Sequence, residues 1–164
     1  MKQNTIFLDI DGVLNSDNFL RENKGINNAI NKLESNLEIF YLRQINDLNY
    51  NSILLLKELA NETNSDIVIT STWKNIRIWP LIEEYLVNKG LPIVDTTTYI
   101  KGNRSEEISA YLKSHPDIKR YIIIDDELFK GYENYFDSFI HTNFYNEGLT
   151  EEIVSLAKTK LKNN

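Results

Sequence analysis

Short apolar runs alternate with longer amphipathic stretches along this chain, a pattern typical of strands alternating with helices. Three runs rich in β-branched or aromatic residues predict strands at 5–8, 66–70 and 120–124. The third run is continuously apolar, which favours a central position in a parallel sheet. Briefer strands are predicted at 91–95, whose proline indicates a sheet edge, and at 138–142.

The stretches between these strands carry apolar residues at helical spacing. Ser52 is predicted to cap a helix over 53–63, and Pro80 is predicted to lie in the first turn of the next one. Two further helices are predicted after Asn103 and after Thr150, where acidic residues occupy the first turn. Helices and strands therefore alternate over most of the chain.

Residues 15–51 are polar and rich in asparagine, with apolar side chains at roughly helical spacing. They form either an ordinary helix on the sheet or a small lid, and the lid is favoured because segments leaving such strand ends lie above the site. The length of 164 residues fits one domain, 1–164. The predicted fold is α/β, a doubly wound, Rossmann-like, mainly parallel sheet with helices on both faces and a small helical lid insertion.

Composition narrows the possible chemistry. The chain is 41% hydrophobic, as in a globular protein, and no window approaches the length of a membrane span. The absence of cysteine excludes thiolate metal sites, cysteine nucleophiles and disulfide-linked partners, but leaves oxygen-ligated metals. The net charge of −6 disfavours binding along a nucleic-acid backbone. No secretory signal is visible in the opening residues, so a cytoplasmic location is expected.

An acidic pair closes the first strand, where Asp9 and Asp11 flank Ile10 and are followed by Gly12. Strand periodicity places both carboxylates on one side, where a cation, a shared proton or hydrogen-bond donors must offset their repulsion. Gly12 permits the backbone to turn sharply. By itself the pattern fits either a solvated strand end or a metal or phosphoryl-transfer site.

Two later strands also end in polar residues. The second runs into Thr70-Ser71-Thr72 and then Trp73-Lys74, a hydroxyl run that either caps the next helix or holds an anion. The third ends in Asp125-Asp126, and solubility alone does not explain carboxylates at the end of so apolar a strand. Lys101 and Arg104 precede a predicted helix, and either one taken singly is an ordinary surface cation.

The carboxyl ends of strands converge on one crevice in a doubly wound sheet, so these acids, hydroxyls and a cation are expected to meet. Together they supply a nucleophile, oxygen ligands for Mg²⁺ and donors to phosphate oxygens, as phosphoryl transfer requires. A P-loop enzyme is excluded because its Gly-x-x-x-x-Gly-Lys-Ser/Thr motif does not occur. The order of the acids along the chain disfavours a response-regulator receiver.

The same motifs, in this order, resemble the haloacid dehalogenase (HAD) superfamily of phosphatases over about residues 5–145. The small HAD domains associated with RNA-repair proteins are more similar still. The features shared with that subgroup are Gly12-Val13-Leu14-Asn15, the hydroxyl run followed by Trp73-Lys74, Arg104, and Asp125-Asp126. One departure is Val13, which stands where many members of the superfamily have threonine.

The resemblance implies a phosphatase that uses Mg²⁺, with Asp9 as the nucleophile that forms an aspartyl-phosphate. Asp11 would protonate the leaving group and then activate water. The implied metal ligands are Asp9, the Ile10 carbonyl, Asp11, Asp125 and Asp126. The residues implied to bind the substrate are Gly12, Thr70, Ser71 and Lys74.

The cation that neutralises the phosphate is either Lys101, which the superfamily prefers, or Arg104, which the closer subgroup indicates; Arg104 is favoured. The implied substrate is a phosphorylated small molecule such as a nucleotide, or a phosphorylated nucleic-acid end. The alternative is a HAD-like module that binds phosphate or a partner without turnover. Turnover that depends on Asp9 distinguishes the two.

Overall fold

A five-stranded sheet forms the centre of the protein in the computed structural model, which describes residues 2, 4–33 and 36–163. The strands are β1 Asn4–Leu8, β2 Ser65–Ile69, β3 Ile93–Thr96, β4 Arg120–Asp125 and β5 Phe139–His141. Their order is β3-β2-β1-β4-β5, and all four pairings are parallel. This order confirms the predicted doubly wound fold, and it confirms that the proline-containing strand lies at an edge.

Seven α-helices and two 3₁₀ turns surround the sheet in the described part of the chain. The helices are α1 Asp17–Glu22, α2 Lys24–Ile30, α3 Leu37–Asn46, α4 Tyr50–Glu62, α5 Trp79–Asn88, α6 Arg104–Ser114 and α7 Glu151–Asn163. The 3₁₀ turns are Thr72–Asn75 and Tyr132–Tyr135. The predicted cap of α4 is wrong, because Asn49 caps this helix through its side chain while Ser52 lies buried inside it.

Both faces of the sheet are covered, which explains why its strands read as continuously apolar. Ile6 and Leu8 of β1 point to one face, where they join buried residues of α4, α5 and α7. Phe7 points to the other face and packs with Ile108 and Tyr111 of α6. The sheet is therefore the middle layer between two groups of helices, as the Rossmann-like prediction requires.

The segment 15–51 contains the three short helices α1, α2 and α3 and the first two residues of α4. Residues 34 and 35 lie outside the described residues. The apolar side chains of the segment do not form a fully buried stripe, since Ile26 is 52% exposed and Leu37 is 46% exposed. Tyr41 and Ile45 of α3 pack against the main core, and Leu48, which follows α3, is buried in it. The segment is thus an appendage beside the sheet and not one of its covering helices.

The helices have one further property in common. Within the described residues, none is both long enough and apolar enough to cross a bilayer.

The carboxyl ends of β1, β2 and β4 meet at the middle of the sheet. Backbone hydrogen bonds continue the pairing just past the strands, from Thr70 N–H to the Leu8 carbonyl and from Asp9 N–H to the Ile124 carbonyl. In the order 3-2-1-4-5 the chain winds in opposite directions from β1, so a crevice opens at this edge. Five of the residues predicted from the sequence line that crevice, namely Asp9, Asp11, Thr70, Arg104 and Asp126.

Candidate active site

Asp9 lies directly after β1 at the base of the crevice, and only 4% of it is exposed. The Nη1 of Arg104 lies 3.2 Å from its Oδ2, and the Ser71 hydroxyl also hydrogen-bonds to this carboxylate. Burial raises the pKa of Asp9 to about 7, and the negative charge of Asp125 adds to the rise while Arg104 opposes it. The carboxylate is therefore crowded, poorly solvated and close to the Arg104 guanidinium.

Asp125 ends β4 beside Asp9 and is fully buried. Its Oδ2 accepts hydrogen bonds from Arg104 Nη1 at 2.6 Å and from the Tyr132 hydroxyl at 2.9 Å. The Glu127 N–H donates to its Oδ1 at 3.0 Å. Burial raises the pKa of Asp125, and the guanidinium and these donors work in the opposite direction. Asp125 is consequently held in one orientation by donors on both oxygens.

Asp126 completes a cluster of three carboxylates. One oxygen from each of Asp9, Asp125 and Asp126 lies within 4.8 Å of the other two. Burial raises the pKa of Asp126 to about 6, with further contributions from Asp9 and Glu127. Three like charges at this spacing repel each other strongly, and Arg104 alone cannot balance them. The cluster of hard oxygen donors fits a cation such as Mg²⁺.

Gly12 allows this cluster to form. Its φ is +66°, and a Cβ built at this position would overlap the side chain of Asp126. The Gly12 N–H donates to the Asn15 Oδ1 at 2.9 Å and is therefore already engaged. The sequence predicted Gly12 as a substrate-binding residue, but its geometry indicates that it makes room for Asp126.

Two of the predicted metal ligands lie outside the cluster. The Ile10 carbonyl accepts backbone hydrogen bonds from Val13 at 3.2 Å and Leu14 at 2.8 Å, so both of its lone pairs are in use. Asp11 does not belong to the group of three carboxylates found in the described residues. The geometry thus favours Asp9, Asp125 and Asp126 as ligands and disfavours the Ile10 carbonyl.

Asp11 is oriented separately, on the other side of the turn. Its Oδ1 accepts a hydrogen bond from Asn15 Nδ2 at 2.8 Å, and its Oδ2 accepts one from Trp73 Nε1 at 2.8 Å. Asn15 also binds the Gly12 N–H, so a single amide side chain holds the turn and the carboxylate together. Asp11 lines the crevice in a fixed orientation.

The hydroxyl run caps the next turn, which is one of the two alternatives that the sequence left open. Ser71 caps the 3₁₀ turn by accepting from the Trp73 N–H, and it also bonds to Asp9. Thr70 is 1% exposed and lines the crevice, yet its Oγ1 has no hydrogen-bond partner within the described residues. A buried hydroxyl without a partner is costly, so Thr70 is poised for an acceptor that a ligand would bring.

The two candidate cations occupy different environments. Arg104 is 8% exposed, and its guanidinium stacks 4.4 Å from the Phe129 ring while bonding both Asp9 and Asp125. Burial acts to lower the pKa of Arg104, but the two carboxylates outweigh it and raise the pKa. Lys101 is exposed, and no ion pair joins it to the carboxylates of the described residues. The geometry favours Arg104.

Lys74 lies behind the wall of the crevice. Its Nζ lies 2.5 Å from Glu107 Oε2 and donates to Thr97 Oγ1 at 2.7 Å and to the Thr70 carbonyl at 3.1 Å. These three acceptors match the three donors of the ammonium group. Lys74, which was predicted to bind substrate, therefore uses all three of its donors within the protein, and one of them holds the Thr70 carbonyl.

The crevice has a volume of about 740 Å³. Its base carries Asp9, Thr70 and Arg104, and Leu20, Gln44 and Asp47 of the segment 15–51 also line it. Four aromatic residues also line it. These are Trp73, Tyr99, Phe129 and Phe144.

Several of these contacts were not predicted from the sequence. Tyr132, which holds Asp125, lies in a 3₁₀ turn that no motif marks, and the sequence predicts Glu107 only as part of a helix. Asn15 belongs to the motif Gly12-Val13-Leu14-Asn15, but nothing in the sequence indicates that its side chain bonds to Asp11. His115 stacks on Tyr111 with a 4.0 Å separation of ring centres, and His141 Nε2 lies 2.8 Å from the Asp126 carbonyl.

The comparison with known families is consistent with this arrangement. A family model described as the HAD domain in Swiss Army Knife RNA repair proteins matches residues 5–154. No curated protein and no solved structure gives a significant match. The match covers the sheet, the crevice and the segment 15–51.

Proposed function

Because the chain belongs to the family of HAD domains in Swiss Army Knife RNA repair proteins, we propose that it is a phosphomonoester hydrolase that depends on Mg²⁺. The observation that carries the proposal is the crevice floor, where the buried Asp9 carboxylate lies beside the Arg104 guanidinium and the unpartnered Thr70 hydroxyl. A nucleophile, a cation and a donor thus face one small volume, which a phosphate group fits.

Asp9 is the nucleophile in this proposal. One of its carboxylate oxygens attacks phosphorus, the bond between phosphorus and the ester oxygen breaks, and an aspartyl-phosphate forms. The contacts with Ser71 and Arg104 hold the carboxylate in place. Water then attacks the phosphorus of the intermediate, which releases inorganic phosphate and restores the carboxylate.

Asp11 acts as the general acid and then as the general base. It gives a proton to the departing alcohol oxygen and later takes one from the attacking water, so Asp11 ends the cycle in the protonation state in which it began. The bonds from Asn15 and Trp73 fix both of its oxygens, and they aim the carboxylate at the crevice. Asp11 is better suited to this role than Asp9, because it lies outside the carboxylate cluster.

The transferred phosphoryl group is bound by Thr70 and Arg104. The Thr70 Oγ1 gains the acceptor that it lacks, and Arg104 supplies positive charge to the phosphate oxygens. Asp9, Asp125 and Asp126 would hold Mg²⁺, which supplies charge that offsets their repulsion and that of the phosphate. Tyr132 and the Glu127 N–H keep Asp125 oriented for that purpose.

We also propose that 15–51 acts as a lid within a single domain. Leu20, Gln44 and Asp47 bring this segment to the rim of the crevice, whereas α2 is largely exposed and the second half of α3 is mostly half-buried. The lid is small, so the crevice can admit a substrate with a bulky remainder. A phosphorylated nucleic-acid end or a nucleotide fits this shape, and the family's description concerns RNA repair.

The proposal is tested by following phosphate release from an aryl phosphate, from nucleotides and from 3′- and 5′-phosphorylated oligonucleotides, with and without Mg²⁺. Wild type should release phosphate only with the metal, and Asp9→Asn should abolish release. Asp66→Asn is the matched control, because Asp66 is also buried but lies at the opposite end of β2. Folded wild type that releases nothing from any substrate would overturn the proposal and favour a binding module without turnover.

A further inference from the structure

One aromatic side chain on the wall of the crevice has no structural role in the described residues. Trp73 donates to Asp11, Phe129 stacks under Arg104, and Phe144 makes an edge contact with a neighbouring ring. Tyr99 lines the same crevice and is 51% exposed, and neither a ring contact nor a hydrogen bond engages its side chain in the part of the chain described. Its ring is available to a ligand.

The backbone holds Tyr99 in place on both sides. The Thr97 N–H donates to the Ile69 carbonyl at 2.9 Å, which ties the start of the loop to β2. The Ile100 N–H donates to Glu107 Oε1 at 2.9 Å, which ties its other side to α6. The exposed ring is thus carried by an anchored loop, and binding a ligand need not order that loop first.

The same connection leads to the proposed phosphate site. It runs from β3 to the first residue of α6, which is Arg104. A ligand whose phosphate binds Arg104 therefore has Tyr99 along the wall beside it. Both residues line the 740 Å³ crevice, a volume within the usual range for small-molecule sites.

The charges of the crevice restrict what the rest of the ligand can be. The carboxylates that line it are Asp9, Asp11, Asp47, Glu107, Asp126 and Glu127, and Arg104 is the cation among the described lining residues. One phosphate can be neutralised by Arg104 and a divalent cation, but additional phosphates would face carboxylates. The remainder of the ligand should be neutral and able to contact an aromatic ring.

We infer that Tyr99 forms a stacking subsite for the nucleobase of a single terminal nucleotide whose phosphate lies at Arg104. This inference rests on the proposed phosphatase function and specifies the substrate class of that site. Stacking on an aromatic ring tolerates any base, so the subsite selects for the presence of a base and not for its identity. The Gln44 amide on the lid side supplies both a donor and an acceptor to ring heteroatoms.

The test compares kcat/KM for adenosine monophosphates, with the phosphate at either the 3′ or the 5′ position, against ribose 5-phosphate, which has no base. Wild type should prefer a nucleotide by about tenfold or more, the order expected for one base stacked on an aromatic side chain. In Tyr99→Ala this preference should disappear, while Tyr99→Phe should retain it because the ring remains. Singly phosphorylated oligonucleotides should show the same dependence on Tyr99.

Phe136→Ala is the control, since Phe136 is an aromatic residue that is 78% exposed and does not line the crevice. It should keep the wild-type preference. Equal kcat/KM for nucleotide and ribose phosphate in wild type, or an unchanged preference in Tyr99→Ala, would overturn the inference while leaving the phosphatase proposal intact.

Failure of the phosphatase proposal is recognised separately, as the absence of hydrolysis of every ester. In that case calorimetric titration of adenosine 5′-monophosphate and ribose 5-phosphate into wild type and Tyr99→Ala, with Mg²⁺ present, still decides the inference. Tighter binding of the nucleotide that depends on Tyr99 would support it. Equal binding of the two ligands, or binding of neither, would overturn it.

Discussion

The ammonium group of Lys74 lies 2.5 Å from Glu107 Oε2, and both side chains are only 4% exposed. The pair joins the residues that follow β2 to the first turns of α6, three residues after Arg104. Burial lowers the pKa of Lys74, but Glu107 opposes this and favours the charged form. The pair therefore ties the segment that carries Thr70 to the helix that carries Arg104, and both residues line the proposed phosphate site.

Lys74→Met is expected to reduce the free energy of unfolding by about 3 to 5 kcal/mol, because it leaves the Glu107 carboxylate buried without its partner. Chemical denaturation with urea measures the loss. Lys158→Met is the control: it removes a surface lysine that pairs with Glu58 and Glu62, and it should cause a much smaller change. Equal losses in the two variants would contradict the interpretation of Lys74.

Mg²⁺ should raise the melting temperature in the absence of substrate. An ion that binds only the folded carboxylate cluster stabilises the native state, and a saturating concentration should add on the order of 5 °C. Asp126→Asn should lose most of the rise, because it removes one carboxylate of the cluster. Glu127→Gln should keep the rise, since Glu127 is a neighbouring acid outside the cluster. A rise that survives Asp126→Asn would place the metal elsewhere.

Gly12→Ala should be far more damaging than Gly102→Ala. Both glycines have left-handed backbones, with φ of +66° and +71°, so each substitution carries the same conformational cost of about 1 to 2 kcal/mol. Only at Gly12 would the new methyl group overlap Asp126, since nothing lies within 4 Å of the corresponding position at Gly102.

Thermal melts with and without Mg²⁺ should therefore show that Gly12→Ala loses both stability and the response to metal. Gly102→Ala should lose a little stability and keep the response. If both variants behave alike, backbone strain is the whole effect and the contact with Asp126 is unimportant.

Trp73→Phe should impair hydrolysis of alkyl phosphates more than hydrolysis of 4-nitrophenyl phosphate. The substitution keeps an aromatic ring but removes the N–H that holds Asp11 Oδ2. A poor leaving group needs a well-placed proton donor, whereas nitrophenolate leaves without one, so a loss of about 10² is expected for the alkyl ester alone in kcat/KM, which reports formation of the aspartyl-phosphate and not its hydrolysis. An equal loss for both esters would indicate that Trp73 acts on binding and not through Asp11.

Arg104→Met should reduce kcat/KM for any phosphate ester by about 10² or more, because the buried cation facing Asp9 is lost. Lys101→Met should leave the kinetics near wild type, since Lys101 is exposed and makes no ion pair with the carboxylates in the described structure. Circular dichroism of both variants checks that they fold. The reverse result would assign the neutralising role to Lys101.

The location of the site followed from the sequence alone. In a parallel sheet of alternating strands and helices, residues that follow strands share one edge, so Asp9, Thr70 and Asp125 had to approach each other. The strands themselves could be predicted because burial on both faces makes their sequences continuously apolar. These are local patterns combined with one rule of topology, and they do not depend on the details of packing.

The tertiary structure decided which of several neighbouring side chains lie in the candidate site and which partners they bind. Lys101 and Arg104 lie three residues apart, but Arg104 is buried at the start of α6 whereas Lys101 is exposed in the preceding turn. Lys74 pairs with Glu107, which lies in the distant helix α6. Asp125 accepts a hydrogen bond from Tyr132, which lies in a later 3₁₀ turn. Such pairings depend on side-chain direction and on contacts between distant segments, neither of which a pattern of apolar and polar positions encodes.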